Sequence, residues 1–73
     1  MRSLRKRSKT DLVYEEIKKL ILRGELSSDT PISENHLARR FEISRTPIRE
    51  ALKRLHIEGF VRIIPNHGVF VRD

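Results

Sequence analysis

Val13, Ile17, Leu20 and Ile21 recur at i, i+4, i+7 and i+8, the spacing that gathers apolar residues on one face of a helix. The pattern predicts a first helix over 12–23, with Tyr14 beside the apolar face, Asp11 or Thr10 as its cap and Gly24 at its end. Residues 25–31, ELSSDTP, are polar and rich in turn formers and read as a loop. Leu37, Ala38 and Phe41 supply the short apolar face of a second helix over 34–40. Ser33 precedes it as a cap, and Glu34 suits the positive end of the helix dipole. Glu42 and Ile43 leave room only for a tight connection to Ser44, the next cap.

A third helix is predicted over 45–58, its core stripe made by Ile48, Ala51, Leu52 and Leu55, with Leu52 at the centre. Pro47 falls in its first turn, where a missing N–H costs nothing, and Gly59 stops it. Leu22 and Ile57 lie off the main apolar faces and are expected to meet a further domain or a second subunit. The rest alternates as a hairpin: a β-branched run at 60–64, the turn Pro65-Asn66-His67-Gly68, and a second strand at 69–71. Three helices, two of them joined by a very short turn, followed by a hairpin make a mainly α winged helix-turn-helix. The helix-turn-helix falls at about 34–53 and the wing at about 60–72 of a domain spanning 11–73.

Charge turns this architecture toward a polyanion. The 73 residues hold 16 Lys and Arg against 10 Asp and Glu, a net charge of +6. Residues 1–10 carry Arg2, Arg5, Lys6, Arg7 and Lys9 with no acid, and read as a disordered basic arm. With no cysteine, disulfides, thiol catalysis and cysteine-based zinc sites are excluded, and a reducing cytoplasm fits. No run approaches the roughly 18 apolar residues of a membrane span.

The third helix is where charge and position coincide. Arg45, Arg49 and Lys53 are spaced i, i+4, i+8, where like charges repel, and Arg45 sits at the positive end of the dipole. Glu50 and Arg54 form an ordinary i, i+4 pair, so conventional helix chemistry is available to this segment. In a helix-turn-helix the amino-terminal residues of the second helix reach base edges in the major groove of DNA. Arg45 and Arg49 can each offer a bidentate fork to guanine O6 and N7. Lys53, Ser44 and Thr46 suit phosphates, and Thr46 a base as well. Asn35, early in the preceding helix, is a further candidate, and His67 beside Gly68 suits a groove or phosphates at the wing tip.

The run Ser44-Arg45-Thr46-Pro47-Ile48-Arg49-Glu50-Ala51-Leu52, then Leu55, Glu58-Gly59-Phe60-Val61 and Pro65-Asn66-His67-Gly68-Val69-Phe70-Val71 resembles the amino-terminal domain of GntR-family regulators, the FadR-like branch in particular. The likeness covers about residues 13–71. It implies a bacterial transcriptional regulator that binds a palindromic operator as a homodimer. It also implies a carboxy-terminal effector domain; none follows the wing here, so the chain is expected to be a fragment of a cytoplasmic, nucleoid-associated protein. Carried over by position, the family's DNA contacts are Ser44, Arg45, Thr46, Pro47, Arg49, His67 and Gly68. Position 35 is often Arg in relatives and is Asn35 here, a change expected to alter operator preference, and His36 removes the acid of a capping box.

The other function classes fit less well. His36, His56 and His67 lie on different elements without metal-ligand spacing, and no Ser, His and acid set converges on a pocket, so neither an enzyme nor a metal or cofactor site is expected. A winged helix serving protein–protein contact is the alternative, but it has no use for Arg45, Arg49 and Lys53 on an exposed helix. The deep, narrow major groove of A-form RNA excludes a recognition helix.

Overall fold

The computed structural model describes residues 8–72. In chain order they form α1 (Lys9–Leu22), α2 (Glu34–Phe41), α3 (Arg45–Ile57), β1 (Val61–Ile64) and β2 (Gly68–Val71). The winged helix-turn-helix expected from the sequence is the observed fold.

The first helix starts earlier than its apolar pattern suggests. Ser8 is the cap: its hydroxyl accepts from the Asp11 backbone, and the Asp11 carboxylate accepts from the Ser8 backbone. Neither Thr10 nor Asp11 is therefore the cap; Asp11 is the acid of a capping box. Lys9 and Thr10 belong to the helix rather than to an arm, and residues 1–7 of the expected arm lie outside the described residues.

All three helices end by one device, in which a left-handed residue lets two backbone N–H groups fold back on the last turn. Gly24 N–H donates to Ile21 O and Glu25 N–H to Leu20 O. Gly59 N–H donates to His56 O and Phe60 N–H to Leu55 O. Glu42 N–H donates to Arg39 O and Ile43 N–H to Ala38 O. The left-handed residue is glycine after α1 and α3, with φ of 76° and 88°, but in the turn between α2 and α3 it is Glu42, with φ of 56°.

The strands pair antiparallel, Val61 with Val71 through Ile64 with Gly68. Pro65 and Asn66 occupy the middle of the turn, closed by His67 N–H to Ile64 O at 3.0 Å. Asn66 has φ of 66°, matching the type II pattern of Pro then Asn. Just after the segment read as loop, a third strand of one residue forms: Ile32 N–H donates to Val69 O at 2.7 Å, and Ile32 is buried.

The core lies where α1 crosses α3 and the hairpin closes one side. Ile17, Leu37, Ile48, Leu52, Leu55 and Val61 are the largest fully buried side chains. The predicted α3 stripe is thus the centre of the molecule. Tyr14, expected at the margin, is buried as well, and its hydroxyl donates to Glu58 across α1 and α3. The i, i+4 pair expected between Glu50 and Arg54 does not form. Both side chains take α1 partners instead: Glu50 accepts from the Thr10 hydroxyl at 2.9 Å, and Arg54 donates to Asp11 at 3.1 Å. Leu22 and Ile57 are 69% and 83% exposed.

Candidate nucleic-acid interface

The core stripe of α3 fixes what its other side shows. With Ile48, Ala51, Leu52 and Leu55 turned inward, Arg45, Thr46, Arg49 and Lys53 are exposed. Pro47 is half-buried in the first turn. Ser44 holds the cap position of α3 with extended backbone, yet its side chain makes no capping bond. Its hydroxyl is exposed and points to no helix donor, so the cap role expected of it is carried by the backbone alone.

The amino end of α2 meets the amino half of α3 through two side-chain contacts. Arg45 Nη1 donates to Asn35 Oδ1 at 3.4 Å. Arg49 donates from Nη2 to Glu34 Oε1 at 3.2 Å and from Nε to Glu34 Oε2 at 3.5 Å. Asn35, Arg45 and Arg49 thus lie on one surface. Glu34 joins it as a residue that sequence reasoning assigned only to the helix dipole. Fifteen residues separate the ion-paired partners, and no local spacing rule reaches that far. The available signal was an acid opening the first helix of the pair while the second opens with two arginines.

Lys53 forms no ion pair among the described residues, so its charge is unspent. His67 and Gly68 stand at the hairpin tip, on a different element from the α3 residues. His67 is exposed, while Gly68 has φ of 124° and backs onto Pro31. Gly68 is therefore required by its backbone whether or not it meets a ligand. Among the described residues no His, Asp and Glu cluster could hold a metal ion, and no helix is long and apolar enough to cross a membrane. The exposed face of α3 can donate many hydrogen bonds and offers positive charge. Glu34, an acid beside it, is already engaged with Arg49.

Comparison with known proteins gives this surface a context. Residues 9–71 match the family model described as bacterial regulatory proteins, gntR family. An uncharacterized HTH-type transcriptional regulator in an unstable DNA locus of Streptomyces ambofaciens is 41% identical over 59 residues, covering 81% of this chain and 25% of that protein. The gluconate operon transcriptional repressor of Bacillus licheniformis is 48% identical over 48 residues, covering 66% of this chain and 20% of the repressor. The chain therefore spans a quarter or less of the length of these relatives. Among solved structures, AraR(DBD) in complex with the operator ORX1 superposes with a TM-score of 0.80 at 34% identity, over 96% of this chain and 86% of that one.

Proposed function

Because this chain belongs to the gntR family of bacterial regulatory proteins, we propose that it is the sequence-specific DNA-binding domain of a transcriptional regulator, with α3 laid in the major groove. One observation carries the reading: Arg45 and Arg49 stand exposed at the amino end of α3, each tethered to α2 through part of its guanidinium and open on the rest. Each can then present a fork to guanine O6 and N7. Ser44 and Thr46 meet phosphates beside them, and Lys53, two turns along, meets the backbone where the helix leaves the groove floor. The wing carries His67 to the flank of the site. Solved AraR(DBD) structures hold operator DNA, and the shared fold supports the same docking here.

For the protein to which this domain belongs, we propose a homodimer on a palindromic operator in the bacterial cytoplasm, paired through a separate effector domain. Two such domains then read half-sites about one helical turn, or a multiple of it, apart.

The test starts with selection of bound sites from a random double-stranded DNA library by the 73-residue chain, followed by titration of the selected site against salt. With about four phosphate contacts per domain, log affinity should fall with log salt at a slope of roughly −3 to −4. Arg45→Ala should flatten base preference at one position of each half-site, a loss of about 1–3 kcal/mol of discrimination. Lys53→Ala should weaken selected and random DNA alike and reduce the slope by about one. An affinity indifferent to salt, or a library that yields no preferred sequence, refutes the reading.

A further inference from the structure

An arginine reads guanine only if two of its N–H groups arrive in parallel, and which two are free is set by what holds the rest. Arg49 has five such donors. Glu34 takes Nε–H and one Nη2 hydrogen, at 3.5 and 3.2 Å, and so fills one whole edge of the guanidinium. The other edge, Nη1 with the second Nη2 hydrogen, has no partner among the described residues and keeps its fork intact. Glu34 is itself fixed. It is the first residue of α2, behind the Ser33 cap, where the dipole favours a carboxylate, and its side chain is only 28% exposed. A held carboxylate therefore holds a long, otherwise freely rotating side chain, and leaves it the edge that matches a base.

The same pair acts on the phosphates in the opposite sense. Paired with Glu34, Arg49 presents little net charge, and a carboxylate beside the groove repels the DNA backbone. An unpaired arginine in that place would hold any sequence through its phosphates.

We propose that Glu34 is a specificity-determining positioning residue, which holds Arg49 in base-reading geometry and withholds its charge from non-specific DNA. The inference rests on the DNA-binding reading above. Glu34 contributes two separable things, charge and reach. Glu34→Gln removes the charge and weakens the double contact. Glu34→Asp keeps the charge at the start of α2 but is one methylene too short to keep both bonds.

The experiment is a competition titration with the 73-residue chain. Its probes are the DNA selected from a random library, single-base variants of that DNA, and random duplex. Arg49→Ala first marks the base pair that Arg49 reads. At that base pair both Glu34 variants should lose on the order of tenfold in discrimination. Random-duplex affinity should rise several-fold in Glu34→Gln, with a salt slope steeper by about 0.9 for one gained phosphate contact. It should stay unchanged in Glu34→Asp. In an Arg49→Ala background, Glu34→Gln should no longer alter base preference, which a merely structural role at the helix start would not predict. If both Glu34 variants keep the full preference at the base marked by Arg49→Ala, the inference fails while the DNA reading stands. If Arg49→Ala marks no base, the inference fails as well. A wild-type chain that selects no sequence overturns both.

Discussion

Glu42→Gly should stabilise this domain, although it deletes a side chain. Glu42 closes α2 at φ of 56°, where Gly24 and Gly59 do the same work for α1 and α3 at 76° and 88°. A residue with a Cβ in that region is strained by roughly 1–2 kcal/mol. A carboxylate at the negative end of a helix adds about 0.3–1 kcal/mol of repulsion, and among the described residues Glu42 has no ion pair to offset it. Against these gains stands the looser unfolded chain that glycine brings, about 0.4–1 kcal/mol. Both backbone bonds of the turn, Glu42 N–H to Arg39 O and Ile43 N–H to Ala38 O, survive the change. The balance is a net gain of roughly 0.3–2.6 kcal/mol. In a domain of this size each 1 kcal/mol raises Tm by roughly 4–8 °C. Circular dichroism at 222 nm during heating measures it, with Glu42→Val as the opposing control, because a β-branched side chain is worse at positive φ. A lower Tm for Glu42→Gly, or an unchanged one for Glu42→Val, would show that the turn is not left-handed at this residue.

Leu52, 1% exposed at the centre of the α3 stripe, should cost about 2–5 kcal/mol when cut to Ala; an unmoved urea midpoint would refute the helix register. Acid should loosen the start of α1. The Ser8 backbone N–H above all, then the Ser8 hydroxyl and Arg54, hold the Asp11 carboxyl below its ordinary value of 3.8. The unfolded chain then binds the proton first, so this stability is present above the ordinary value and lost as pH falls through the lowered one. Urea midpoints at about pH 6 and pH 3 should therefore differ less in Asp11→Asn than in the parent. Ile57→Ser should change stability by less than about 0.5 kcal/mol, since the side chain is 83% exposed.

What could be read in advance followed from how far each signal reaches along the chain. The α3 stripe was legible because Ile48, Ala51, Leu52 and Leu55 repeat within one helix, and all four are buried. The short turn was legible from the crowding of Phe41 and Ser44, although its left-handed residue is Glu42 and gives no glycine signal. The start of α1 was not legible, because Ser8 lies among basic residues and caps through geometry rather than through any apolar period. Ile32 was missed because one buried residue among turn formers has no period to show. The i, i+4 rule paired Glu50 with Arg54. That rule describes an isolated helix, and here α1 supplies Thr10 and Asp11 at hydrogen-bond distance. The exposed face of α3 was predictable residue by residue. Its coupling to Glu34 was not, because it depends on how two helices cross.

The two sides of α3 treat arginine differently, and the difference can be separated by experiment. Arg54 lies 3.9 Å over the Tyr14 ring, donates to Asp11 at 3.1 Å and reaches Glu58 at 4.0 Å. It lies against α1 with its side chain 47% exposed, and Tyr14 beneath it is bonded to the same Glu58. Among the described residues Arg49 has one partner, Glu34, and it is half exposed. Exposed cation–π contacts contribute about 0.5–1 kcal/mol and surface ion pairs from nothing to about 1. Arg54→Ala should therefore cost about 1 kcal/mol, or roughly 4–8 °C in Tm, and leave base preference where it was. Arg49→Ala breaks only a surface pair. It should move stability by less than about 0.5 kcal/mol and abolish preference at one base pair. Melting curves and competition titrations on the same two variants give four numbers. If Arg54→Ala shifts base preference, or Arg49→Ala destabilises the fold more than Arg54→Ala does, then α3 is not divided into a side that holds α1 and a side that reads DNA.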